Sequence, residues 1–220
     1  MNGADRADFR EILRLVRPGS RVLEIGCGEG ALLELLTREK NIDGRGLEIS
    51  PEGVSACLAR GLAVVQGDAD RDLADYPAQA FDYVVLSQTL QQVRDPRAVL
   101  IELLRIAERA IVSLPNFGHW RVRWSLVTQG RMPVTKELPE PWWSTPNIHL
   151  CTLRDFTDLC RDLGVRIEAC AALSRGREAR PIDPARGGEN WRAEEALFLI
   201  RQPNLARATV PHPGDDLFGH

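Results

Sequence analysis

The chain has 220 residues, 44% hydrophobic and 27% charged, which is enough for the core of one ordinary domain and excludes wholesale disorder. A net charge of −3 argues against sequence-independent nucleic-acid binding, which needs a basic excess. No apolar run is long enough to span a membrane, and Met1 to Val16 is acidic and amphipathic rather than a leader peptide.

Phe9, Ile12, Leu13 and Val16 recur at helical spacing, and Pro18-Gly19 stops that helix. Arg21 to Ile25 is a short β-type run closed by a glycine cluster, and Leu32, Leu33, Leu35 and Leu36 mark the next helix. Asp43-Gly44 reads as a turn before a second strand, Arg45 to Ile49. Ser50-Pro51 is a helix cap followed by proline at the first helical position, and that helix ends at Arg60-Gly61. Leu62 to Gln66 is the third strand. Phe81 to Leu86 is the fourth, a continuous apolar run of the kind buried on both faces. Asp95-Pro96 opens a helix with Val99, Leu100, Leu103 and Leu104, and Ala110 to Leu114 is the fifth strand.

Strand and helix thus alternate through the first half, which predicts an α/β, doubly wound, mostly parallel sheet covered by helices on both faces. The second half differs. Residues 115–150 form an insert rich in Pro and Trp, with one helix near Trp120 to Val127. Thr152-Leu-Arg-Asp155 resembles a capping box before a helix that Gly164 ends. Val165 to Ala172 and Ala196 to Ile200 are two final strands joined by a loop over 173–195, which makes seven strands with the last antiparallel. One domain over 1–202 and a mobile tail over 203–220 complete the expected organisation. The five cysteines, Cys27, Cys57, Cys151, Cys160 and Cys170, are odd in number and lack CxxC spacing; they fit reduced thiols and a cytoplasmic location.

The chemistry lies in Glu24-Ile-Gly26-Cys27-Gly28-Glu-Gly30, at a strand-to-helix turn. Glycines there let the backbone bend sharply and let a ligand approach closely. Glu48 ends the next strand, twenty residues after Gly28, where a carboxylate can accept from both hydroxyls of a ribose. The spacing Gly26-x-Gly28-x-x-Ala31 also satisfies a relaxed dinucleotide fingerprint, so an NAD-dependent oxidoreductase stays an alternative. Three features favour S-adenosylmethionine. Glu24, two residues before the first glycine, suits a cofactor ammonium and would repel a pyrophosphate. Asp68-Ala69 follows strand three, where a carboxylate can accept from an adenine amino group. The sheet ends in two strands without an intervening helix.

The run from Val22 to Asn116, with VLEIGCGEG, GLEIS, QGDAD, FDYVVLSQTLQQVRDP and AIVSLPN, resembles class I S-adenosylmethionine-dependent methyltransferases. AIVSLPNFGHWRVRW and PNIHLCTLRDF narrow the resemblance to the methionine-biosynthesis MetW family, over about residues 8–202. The resemblance implies a site for S-adenosylmethionine or S-adenosylhomocysteine. Glu48 would hold the ribose, Asp68 and Ala69 would border the adenine, and the loop of Gly26, Cys27, Gly28 and Gly30 would pack against the methionine moiety, with Glu24 and Ile49 completing the cofactor-binding set. Ser87 and Gln88 would line the same cleft. It also implies association with a homoserine O-acyltransferase of MetX type. Two departures stand out: Arg105 to Arg109 replaces a Lys-Pro-Gly-Gly turn, and no Asn-Pro-Pro-Tyr motif follows strand four.

A catalytic base for an acceptor is not evident. His119 and His149 are the candidates, each equally suited to anchoring a loop, and a metal site from His149, Cys151 and Cys160 would require the chain to fold back. Trp120, Trp124, Trp142 and Trp143 suit an acceptor wall, a core or an interface. Arg121, Arg123, Arg175, Arg177, Arg180 and Arg186 suit an acidic partner or plain solvent. Two readings follow: an S-adenosylmethionine-binding accessory protein, and a true methyltransferase for an unidentified small molecule.

Overall fold

Side chains of a β-strand alternate between faces, and the central strands bury both. In β1 (Arg21–Ile25), Val22 faces one hydrophobic cluster while Leu23 and Ile25 face another. β4 (Phe81–Ser87) does the same with Tyr83 and Val85 against Val84 and Leu86. Each cluster is closed by helices. α1 (Ala7–Leu15) and α2 (Ala31–Lys40) cover the first, and α4 (Pro96–Ile106) and α6 (Leu153–Asp162) cover the second. The chain is seen here in a computed structural model that describes residues 6–135, 139–174 and 177–202.

The described residues form one sheet of eight strands in the order β3-β2-β1-β4-β5-β8-β6-β7. β2 is Asp43–Glu48, β3 Val64–Gln66, β5 Ala107–Pro115, β6 Arg166–Leu173 and β8 Glu195–Arg201. β3, β2, β1, β4 and β5 are parallel. β8 runs antiparallel between β5 and β6, as expected of the last strand. The chain steps outward from β1 to β3, then returns to add β4 on β1's other side. This reversal opens a crevice at the carboxyl ends of β1 and β4, the usual ligand position in such sheets.

The structure corrects the expected seven strands to eight. β7, only Arg180–Pro181, pairs with Ala171 and Ala172 at the sheet edge. It lies in the stretch read as a loop, which also holds a helical turn, α7 (Glu189–Arg192). Asp43 and Gly44 are not a turn either. They pair with Arg21 and Val22, and a Cβ on Gly44 would meet Leu33 Cδ1 at 2.8 Å, so the glycine lets α2 lie close on the strand. The caps are as read: Ser50 accepts from Gly53 N at the start of α3 (Pro51–Ala59), Asp95 from Ala98 N, and Thr152 and Asp155 form a reciprocal box. α4 passes straight into β5, and Arg105 stabilises the junction by donating to Tyr76 O at 2.7 Å and Leu73 O at 2.9 Å. The proposed tail over 203–220 lies outside the described residues.

Candidate functional site

The glycine loop is shaped by left-handed backbone at Gly26, Gly28 and Gly30, with φ of +68°, +54° and +79°. Their surroundings differ. A Cβ on Gly26 would strike Thr89 Oγ1 at 2.7 Å, so the first glycine lets the loop after β4 cross the end of β1. A Cβ on Gly30 would lie 2.4 Å from Leu62 Cδ1 and 2.8 Å from Cys57 Sγ, so this glycine seats α2 against α3. No described residue lies within 4 Å of a Cβ built on Gly28, which leaves the backbone open there. The Cys27 thiol points at Cys57, 3.9 Å away.

Glu48 ends β2, buried at the foot of the loop. Its Oε2 accepts from Gly28 N at 2.7 Å and its Oε1 from Ser50 N at 2.9 Å. The carboxylate is thereby fixed, with one lone pair left on each oxygen for further donors. Beside it lies a cleft of about 300 Å³ lined by Gly26, Ile49, Asp68, Ala69, Thr89 and Ile148, among others. Asp68 is held in a local turn, its Oδ1 accepting from Asp70 N at 2.9 Å.

Several of these residues were not singled out from the sequence. Asp70 accepts from the backbone of Arg94 and Asp95 and so clamps the loop after β3 to the loop after β4. Ile148 comes from the insert, where the N–H groups of Ile148 and His149 both donate to Gln91 O. No local motif announces such residues, because long-range backbone approach places them.

Of the residues singled out from the sequence, Gly26, Ile49, Asp68 and Ala69 line the cleft, whereas Glu24, Cys27, Gly28, Gly30, Glu48, Ser87 and Gln88 are not among its described lining residues. Ser87 Oγ donates to Asp8 Oδ2 at 2.8 Å, and Arg6 bridges Asp8 and Ser87. Glu24 lies next to this cluster, and its Oε2 is buried with no hydrogen-bond partner among the described residues. Burial pushes its carboxyl up to about 8, only partly offset by the Arg6 guanidinium, while the charges of Asp8 and Glu48 push the same way as burial. An ammonium group brought to Glu24 would relieve that strain, so the orphaned oxygen fits a ligand bearing one.

The chain matches the family model for the methionine biosynthesis protein MetW over residues 6–200. It belongs to the MetW family. It is 35% identical over 209 residues, 90% of its length, to a bifunctional methionine biosynthesis protein MetXA/MetW of Rhodopirellula baltica, and it spans 33% of that relative. An S-adenosylmethionine-dependent methyltransferase from Thermotoga maritima shares the fold at a TM-score of 0.65 and 19% identity, covering 89% of this chain and 87% of that one. So does the [4+2]-cyclase SpnF, at a TM-score of 0.61 and 18% identity, covering 88% and 80%. The doubly wound reading of the sheet is thus confirmed, while SpnF shows that the fold does not fix the reaction.

In this MetW chain both candidate histidines are engaged structurally. His119 caps α5 (Trp120–Gln129), its Nδ1 accepting from Arg121 N at 3.4 Å. His149 Nε2 lies 3.2 Å from Arg94 O. No group of His, Cys, Asp and Glu among the described residues could hold a metal. Trp120 and Trp124 do not pack into a core; both are exposed, as are Trp142 and Trp143. Of the arginines in the late loop, Arg180 is paired with Glu189 through two contacts and Arg186 with Asp183, while Arg175 lies outside the described residues.

Proposed function

We propose that this chain binds S-adenosylmethionine at the carboxyl ends of β1, β2 and β3. We further propose that it serves in methionine biosynthesis as the accessory partner of a homoserine O-acyltransferase of MetX type. The cofactor reading rests on the open glycine loop, the fixed Glu48 carboxylate and the unpartnered Glu24 oxygen, which together suit the methionine backbone, the ribose diol and the α-ammonium. When bound, the cofactor supplies an electrophilic methyl group on a sulfonium, and its product form, S-adenosylhomocysteine, fits the same residues.

In this reading Glu48 Oε1 and Oε2 each accept a ribose hydroxyl on the lone pairs that Ser50 and Gly28 leave open. Ile49 and Ala69 flank the adenine, and Asp68 accepts from its amino group. Glu24 gives up a proton and pairs with the ammonium. Cys27 and Gly30 shape the loop from beneath, and Ser87 steadies α1 through Asp8.

The single observation that carries the partner reading is the relative in which MetXA and MetW share one polypeptide. Fusion raises the effective concentration of two units that work together. A surface suited to such a partner is the insert, where Trp124, Trp142 and Trp143 are 64%, 69% and 73% exposed. A cytoplasmic location belongs to the same reading; among the described residues no helix is long and apolar enough to cross a membrane.

The experiment is co-expression with the homoserine O-acyltransferase of the same organism, followed by affinity purification and size exclusion. The expected result is one peak holding both chains, weakened when Trp142 and Trp143 are both replaced by Ala. Two separate peaks at micromolar concentration would contradict the proposal.

A further inference from the structure

A second cavity, of about 830 Å³, opens at the carboxyl end of β5, between α5 and the segment that follows β6. Among the described residues it shares no lining residue with the cofactor cleft. Two guanidinium groups line it, Arg121 from the first turn of α5 and Arg177 from beyond β6, and Ser125 and Ser174 add hydroxyls. Glu194 is the one carboxylate among its described lining residues, and it stands 3.8 Å from Arg121, beyond hydrogen-bond distance. The amino end of α5 borders the same space, and its first-turn N–H groups add partial positive charge. The remaining described wall mixes Asn116, His119 and Thr135 with Val122, Val134 and three prolines.

Among the described lining residues, two arginines and a helix amino end stand against one acid, which lies 3.8 Å from Arg121, so they carry an excess of positive charge in a protein whose net charge is negative. A guanidinium presents paired N–H groups that match a carboxylate in a fork. The volume exceeds what an inorganic ion needs and falls in the range of small-molecule sites, and Val122, Val134 and the prolines offer contact to a carbon skeleton. The geometry points to a second ligand site, for a small organic anion carrying at least one carboxylate. The anionic head sits on Arg121 and Arg177, and the skeleton lies against Val122 and Val134. This site stands apart from the cofactor reading, since none of its residues serves that cleft.

The test is calorimetric titration of the full chain with succinate, with its neutral isostere succinamide and with inorganic phosphate, without cofactor. Succinate is expected to bind, more weakly as salt rises, while succinamide gives no heat of binding and phosphate binds more weakly than succinate. Losing charged hydrogen bonds in R121Q and R177Q each weakens succinate by about tenfold, and the double variant more. Both arginines are exposed, so the variants keep the fold, checked by an unchanged melting temperature. Equal binding of succinate and succinamide, wild-type affinity in the double variant, or phosphate binding as tight as succinate would each overturn the assignment. Failure of the wild type to bind S-adenosylhomocysteine would overturn the cofactor reading instead, because the succinate titration omits that ligand.

Discussion

Glu24 links burial, protonation and ligand binding in one side chain. Its ordinary value of 4.5 holds in the unfolded chain, and its folded value is about 8. Between these values the folded state holds a proton that the unfolded state has released. The associated stability is therefore full below pH 4.5 and is lost as pH rises through 8, by an amount on the order of a few kcal/mol. Glu24→Gln removes this dependence, so urea unfolding at pH 5 and pH 8 is expected to show a steeper loss in the wild type than in the variant; equal losses would refute it. Pairing with an ammonium also requires deprotonation, so cofactor binding at pH 7 is expected to release close to one proton, read as a buffer-dependent heat. Glu48→Ala removes the acceptor of two backbone N–H groups and of the ribose, and S-adenosylhomocysteine affinity is expected to fall by roughly a hundredfold or more. Wild-type affinity would contradict the ribose placement. Of the cleft's lining, Gly26, Ile49, Asp68 and Ala69 were legible in the sequence because each stands at a glycine loop or a strand end. Thr89, Asp70 and Ile148 were not, since the approach of distant loops alone brings them to the cleft.

At the level of elements, the three loop glycines separate structure from binding. Gly30→Ala drives a Cβ into Leu62 and Cys57 at a left-handed position and is expected to cost roughly 1–3 kcal/mol in unfolding free energy. Gly28→Ala meets open space and costs only about 1 kcal/mol of backbone strain. Its larger effect is expected on cofactor affinity, because the methyl intrudes on the ligand side. The reverse ranking in melting experiments would contradict this division. Asn116 joins three elements: its Nδ2 donates to Asn190 O and Ala193 O, and its Oδ1 accepts from Gly118 N at 2.9 Å and Leu153 N at 3.4 Å. Asn116→Ala strands these buried groups and is expected to cost about 2–4 kcal/mol in chemical denaturation. The parallel half of the sheet was readable from apolar runs and caps, which are local signals. The start of β2 was misread because Gly44 signals a turn in isolation and close helix packing in context. β7 was missed because two residues, one of them proline, carry no period.

For the whole molecule, the mildly acidic charge conceals an uneven distribution. The acids Glu24, Glu48 and Asp68 gather at the carboxyl ends of β1 to β3, whereas Arg121 and Arg177 border the cavity beyond β5. Trp120, Trp124, Trp142 and Trp143 are exposed on the insert. A protein built this way can bind a cofactor at one end of the cleft and offer the remaining surface to a small anion or a protein. A ligand changes a partner's activity only through a difference in affinity between two states. The direct test is the rate of homoserine acylation by the MetX-type enzyme, with and without this chain and with and without S-adenosylmethionine. The expected outcome is a rate that changes when the chain is added and changes again with S-adenosylmethionine, the second change being absent in Glu48→Ala. A rate indifferent to the chain under both conditions would contradict the account.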